Sequence, residues 1–197
     1  MITLPSLPAP NGVNPRLIDW GSILRSPTGG SSLRLDRSGS RFGAEITFPP
    51  MKPKEARVFV SRLLDAKSEG LRIEFPLIDV DQGLPGSPVV DGAGQAGKTL
   101  DIRGLTPYYG FKEGFWLSIE DASGQHYLHN CRSNLVTGSD GKATIDITPA
   151  LRTPFADGAT IHLAKPMIEG FVDGNEWSWQ IPVDKLIALS VPIEEAA

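Results

Sequence analysis

One stretch of the chain carries its apolar residues at the spacing of an α-helix. Between Pro53 and Gly70 they recur at positions 56, 59, 60, 63, 64 and 66, which places them on one helical face. Proline suits the first turn of a helix, where its missing N–H is no loss, and glycine suits the residue after the last turn. The pattern predicts an amphipathic helix over residues 53–69.

Most of the remaining chain alternates apolar and polar residues with a period of two, which is typical of half-buried antiparallel strands. For residues 1–30, the prolines at positions 5, 8, 10 and 15 favour an extended arm over a fixed strand. A hairpin turn is predicted at Asp173-Gly174-Asn175, between the last two strands. Strands are predicted at 33–35, 42–48, 71–75, 99–103, 115–120, 126–130, 143–147, 160–164, 167–172 and 176–193.

The order of these elements predicts a mainly β fold with one α-helix, divided into two parts. Residues 77–98 are rich in Gly and Pro and lack periodicity, which indicates a connector. The five short strands that follow are the inventory of a small barrel such as an OB-fold. We therefore expect a discontinuous, β-sandwich-like domain formed by residues 1–76 plus 166–197, with an inserted OB-fold-like small β-barrel at 77–165.

Composition narrows the functional classes. The chain has 21 Gly and 17 Pro among 197 residues, which favours short strands and tight turns over a helical bundle. No apolar run approaches the roughly 18 residues of a membrane-spanning helix, so we expect no membrane span. The first residues lack the basic start and apolar run of a secretory signal. The single Cys131 excludes an internal disulfide and a multi-cysteine zinc site.

Charge is unevenly distributed along the chain. Residues 1–70 contain ten basic and six acidic residues, whereas residues 71–197 contain nine and seventeen, for a net charge of −4. The acidic total disfavours nucleic acid as a partner, and we expect no recognition of nucleic-acid sequence. This difference in charge between the two segments would favour head-to-tail attraction between copies of the chain. Ordinary variation in surface charge would explain the difference equally well.

No residue pattern predicts catalysis, a metal site or a cofactor. His126, His129 and Cys131 are close in sequence, but on a strand 129 and 131 share a face that 126 does not, so the three cannot converge on one ion. Residues 92–97 spell G-x-G-x-x-G without a following helix to hold a phosphate. A Gly-x-Ser-x-Gly nucleophile motif is also missing. We therefore expect a protein that is not an enzyme.

Aromatic residues provide the one candidate ligand site. Tyr108, Tyr109 and Phe111 lie in a loop, and exposed aromatic rings of OB-folds stack on bases or sugars. The sequence does not distinguish between two roles for these three residues, glycan binding and packing in the barrel core. Trp177 and Trp179 share one face of a predicted strand, where burial in a core is the favoured interpretation.

A known family combines these elements in the same order. Over residues 30–195, the arrangement resembles the distal tail protein of long, non-contractile-tailed bacteriophages, in the form that carries an OB-fold module. The signatures that support the resemblance are Ile46–Pro50 at the end of a strand, Leu63-Leu64 in the helix, Gly70, Phe75-Pro76 at the end of the next strand, and Gly114, Tyr127 and Ile147–Arg152 in the barrel.

The resemblance implies a virion structural protein at the distal end of the viral tail, made in the host cytoplasm. Such proteins are homo-oligomers that form a hexameric ring, which joins the tail tube protein to the baseplate hub or fibre proteins used in host attachment. We expect the ring contacts to come from residues 31–75 and 167–193, and the barrels to project outward. The alternative is a carbohydrate-binding module whose inserted barrel recognises cell-surface glycans.

Overall fold

The predicted helix is present as α1, Pro53–Glu69. At its start, Glu55 Oε2 accepts a hydrogen bond from the backbone N–H of Lys52 at 3.4 Å. At its end, the N–H of Gly70 donates to the carbonyl oxygen of Ala66 at 2.9 Å, and Gly70 has a φ of 79°, a region that favours glycine. The helix buries one face, formed by Ala56, Phe59, Leu63 and Ala66.

The computed structural model describes residues 1–35, 37–174, 176–183 and 185–196. Within them, α1 is the only helix, and it is neither long nor apolar enough to cross a membrane. The strands are β1 (Ile2–Thr3), β2 (Gly12–Ile18), β3 (Ser22–Leu24), β4 (Leu33–Leu35), β5 (Arg41–Met51), β6 (Leu71–Glu74), β7 (Gly86–Val90), β8 (Gly97–Leu105), β9 (Gly110–Phe111), β10 (Trp116–Glu120), β11 (His126–Cys131), β12 (Leu135–Val136), β13 (Ala143–Leu151), β14 (Ile161–His162), β15 (Met167–Val172) and β16 (Ile187–Glu195). The predicted mainly β fold with one helix is confirmed.

The first sheet has six strands in the order β1-β6-β15-β16-β5-β2. Neighbouring strands in this sheet are antiparallel, except that β1 runs parallel to β6. Strands from both ends of the chain therefore share hydrogen bonds, because β15 and β16 lie between β6 and β5. The extended arm expected for the N-terminal residues is therefore wrong for residues 2–3 and 12–18, because β1 and β2 form the two edges of this sheet, where proline is tolerated.

The second sheet also has six strands, in the order β14-β10-β11-β13-β8-β7. A bridge between Val89 and Thr160 links its two ends, so the sheet is a nearly closed barrel. Five of its strands lie where the sequence predicts them, and the sixth, β7, lies inside the predicted connector. The connector prediction is wrong there because Val90 is fully buried in the barrel core despite its Gly- and Pro-rich neighbours.

The barrel closes the core of the first sheet. Trp116 of β10 packs against Phe42 and Phe75 with ring centroids 4.9 and 4.5 Å away, and Leu128 of β11 is fully buried in the same core. The helix covers another part of this core, where Phe59 meets Phe48 edge to face at 5.1 Å. The two sheets therefore share one continuous apolar interface.

The long strand predicted at 176–193 is wrong in its first half. Only Ile187–Glu195 is a strand, whereas the described residues between 176 and 186 have no regular structure. Trp177 and Trp179 stack on each other, with ring centroids 5.1 Å apart. Trp177 is half-buried against the first core, and Trp179 remains 36% exposed. In the predicted hairpin turn, Gly174 has a φ of 81°, and Asn175 lies outside the described residues.

Candidate functional site

The three aromatic residues considered for glycan binding do not form a shared platform. Tyr109 and Phe111 are buried in the barrel core, where their rings meet edge to face at 5.1 Å. The Tyr109 hydroxyl donates to the carbonyl oxygen of Gln82 at 2.5 Å, and burial raises its pKa to about 12. Tyr108, with a φ of 60°, is 70% exposed. Only Tyr108 therefore presents a ring to a ligand.

The histidines and the cysteine of β11 separate as the strand alternation predicts. His129 is fully buried, its Nδ1 donates to the Pro149 carbonyl oxygen at 3.0 Å, and burial lowers its pKa to about 4. Cys131 is buried in the barrel core, and burial raises the pKa of its thiol. A buried thiol with a raised pKa is a poor nucleophile. His126 lies on the other face of the strand, beside Glu120 and His162.

The G-x-G-x-x-G segment is a loop whose polar groups bond to neighbouring residues of the chain. The backbone N–H of Gly92 donates to Asp157 Oδ1 at 2.8 Å, and the side-chain amide of Gln95 donates to the carbonyl oxygen of Asp91 at 2.9 Å. The chain then continues as β8 and not as a helix. The Gly92 N–H is already hydrogen-bonded to a carboxylate, and no helix begins here. The segment therefore lacks the free backbone N–H groups at a helix N-terminus that bind phosphate.

A buried ion pair that no sequence pattern indicates lies between the two sheets. Glu195, in the last strand, accepts the backbone N–H of Phe42 at 2.7 Å and that of Leu128 at 2.6 Å. Arg152 Nη2 lies 3.1 Å from the same carboxylate, and Arg152 also lies over the ring of Tyr127 at 5.0 Å. Burial raises the pKa of Glu195 to about 7, although Arg152 and both backbone donors favour the charged form.

A second feature that sequence analysis missed is an apolar hairpin that stands outside both cores. Strands β3 and β4 pair with each other and, among the described residues, with no other strand. Leu24 lies opposite Leu33, and alternation places Leu35 on the same face. These three side chains are 53%, 59% and 39% exposed. At the base of the hairpin, Arg34 pairs with Asp19 at 2.6 Å.

Isolated two-stranded hairpins are marginally stable in water, and contiguous exposed apolar residues mark interaction surfaces. The exposed leucine face of this hairpin therefore has the character of a surface that becomes covered by another molecule. We call it the leucine face, formed by Leu24, Leu33 and Leu35.

A separate apolar groove runs beside the helix. Its volume is about 410 Å³, and Leu64 of α1, Trp179 and Ile181 all line it. Leu64 is 51% exposed and Ile181 is 69% exposed. We call it the helix groove, lined by Arg57, Val60, Leu64, Trp179, Ile181 and Ile187. The leucine face and the helix groove share no residue, so one chain carries two different apolar surfaces.

The sequence of the chain matches no protein-family model and no curated protein.

Proposed function

We propose that this chain is a structural component of a phage tail tip, and that it forms a hexameric ring that joins the tail tube to the baseplate hub or fibre. The observation that carries the proposal is the pair of exposed apolar surfaces, the leucine face and the helix groove. A closed ring needs a heterologous interface, in which one patch on each copy meets a different patch on the next. A chain with two unlike apolar surfaces meets that need.

In the proposed ring, the leucine face of one copy lies in the helix groove of its neighbour. The groove lies within segments 31–75 and 167–193, from which we expect the ring contacts to come, and the hairpin adds residues 22–24 to them. The role requires no catalytic centre, and glycan recognition by the barrel would depend on Tyr108 alone.

The test is the oligomeric state of the full chain and of two variants in sedimentation experiments. We expect the wild-type protein to sediment as a hexamer. Leu33→Asp should abolish the hexamer, because it places a carboxylate in the apolar interface. Leu84→Asp is the matched control, since Leu84 is 86% exposed and belongs to neither surface. A wild-type chain that stays monomeric, or equal assembly of both variants, contradicts the proposal.

A further inference from the structure

Three side chains that commonly bind transition metals meet on the outside of the barrel. Glu120 on β10 lies directly opposite His126 on β11. His162 on β14 lies opposite Ser118, which is two residues from Glu120 and therefore on the same face of β10. The register of three neighbouring strands thus brings together two imidazoles and one carboxylate that are up to 42 residues apart in sequence.

The ligand atoms are close enough to share an ion. His162 Nε2 lies 2.9 Å from Glu120 Oε2, and the rings of His126 and His162 are 4.9 Å apart between centroids. One ligand atom from each residue lies within 4.8 Å of the others. In tetrahedral zinc with bonds of about 2.0–2.1 Å, ligand atoms are about 3.3 Å apart. Small side-chain rotations would therefore suffice to bring these three atoms onto one ion.

The positive charge of Arg72 lies near this cluster, and a neighbouring carboxylate partly balances it. Arg72 Nε lies 2.5 Å from Glu169 Oε2, and its Nη2 donates to the carbonyl oxygen of Gly124.

We propose that Glu120, His126 and His162 form a binding site for a divalent transition-metal ion, with Zn²⁺ as the best fit. Two imidazoles and a carboxylate are ligands that zinc prefers, and a water molecule would complete the tetrahedron. The side chains of His162 and Glu120 are 33% and 35% exposed, which gives the ion a path from solvent.

The site would act where the barrel closes. Strand β14 has only two residues and pairs with β10 over both of them. The segment just before it contacts β7 through the bridge between Thr160 and Val89 and through two backbone hydrogen bonds with Val90. An ion held by His162 together with Glu120 and His126 would tie β14 to both β10 and β11. We therefore assign the site a structural role in closing the barrel, independent of the proposed ring.

The test is calorimetric titration of the tag-free, chelator-treated full chain with ZnCl₂. We expect saturable binding of one ion per chain. Glu120→Gln and His162→Asn should each weaken the affinity at least tenfold, and both positions are exposed enough for the variants to fold. Glu113→Gln, an exposed carboxylate outside the cluster, is the control and should bind as the wild type does. No saturable binding, or unchanged affinity in either ligand variant, would overturn the proposal.

Two further measurements address the ligands and the role of the ion. Bound Co²⁺ should give tetrahedral d–d bands without a thiolate charge-transfer band, because Cys131 points into the barrel core; a thiolate band would overturn the ligand assignment. Zn²⁺ at a hundred times its Kd should raise the Tm of the wild type by about 5 °C or more. The same Zn²⁺ should leave the Tm of His162→Asn unchanged, and an equal rise in that variant would contradict the assignment.

Discussion

The carboxylate of Glu195 accepts a hydrogen bond from the backbone N–H of Leu128, 67 residues away and in the other sheet, at 2.6 Å. The same carboxylate accepts the N–H of Phe42 and faces Arg152. One side chain at the end of the chain therefore joins β5, β11 and β16 at the place where the barrel closes the first core.

Removing the Glu195 carboxylate should destabilise the folded chain. We expect Glu195→Ala to lower the free energy of unfolding by about 3–5 kcal/mol, because it leaves the buried Arg152 charge without its carboxylate and two buried backbone donors without an acceptor. Glu194→Ala is the matched control, since Glu194 pairs with Arg41 near the surface at 2.5 Å, and its loss should cost about 1 kcal/mol or less. Urea unfolding measures both values, and equal losses would contradict the role given to Glu195.

The shared apolar interface predicts that the two sheets unfold together. Trp116→Ala should lower the free energy of unfolding by about 3 kcal/mol, because Phe42 and Phe75 would lose the ring that covers them. Tyr108→Ala, an aromatic change at an exposed position of the barrel, should change it by less than about 1 kcal/mol. Calorimetry should show a single transition for the wild type, and two separate transitions would show that the barrel is an independent unit.

Buried titratable groups predict how stability depends on pH. The pKa values of His126 and His129 lie near 4, below the usual 6.5. Their contribution to the free energy of unfolding is therefore complete above pH 6.5 and is lost as the pH falls towards 4. Glu195, with a pKa near 7, contributes in the opposite direction, because its contribution is lost as pH rises from 4.5 to 7. The contribution gained from the two histidines over this pH range is larger than the contribution lost from the one carboxyl group. The free energy of unfolding should therefore rise by about 1–2 kcal/mol between pH 5 and 6.5.

A histidine variant checks this sign. In His129→Gln, the side-chain amide can still donate to the Pro149 carbonyl oxygen, but one of the two buried histidines is gone. The rise in the free energy of unfolding between pH 5 and 6.5 should then fall by half or more. Urea unfolding in the presence of a chelator measures it, and a rise as large as that of the wild type would show that His129 is not the source.

A cysteine pair tests the contact that the proposed ring requires. Leu33→Cys and Leu64→Cys, mixed as separate proteins and oxidised, should give an intermolecular disulfide, because position 33 of one copy would face position 64 of the next. Cys131 is fully buried and should not react. Non-reducing electrophoresis reads the result. Cross-linking of either variant with itself at the same rate as the mixture would contradict a heterologous contact.

Local signals explain what the sequence predicts well. Pro53 and Gly70 determine the helix ends, and the period-two pattern locates β10, β11 and β13 to within a few residues. The errors arise where local patterns mislead. Trp177-Ser178-Trp179 imitates a strand, yet the two rings stack in a loop, and the glycine-rich neighbourhood of Val90 conceals β7.

The candidate sites depend on contacts that no local pattern reveals. Glu120 and His162 become neighbours only through the pairing of β10 with β14. Glu195 and Arg152 meet only because the barrel packs against the first sheet. Burial of Tyr109 and exposure of Leu33 likewise depend on which surfaces the tertiary fold covers, so residue type alone could not distinguish a core ring from a ligand platform or an interface.

Electron microscopy of the purified full chain tests the central claim most directly. The proposed function predicts annular particles with six-fold symmetry, in which the leucine face of each subunit lies against the helix groove of the next. Folded single-chain particles at all concentrations, or two-fold symmetric dimers that leave the leucine face uncovered, would contradict it.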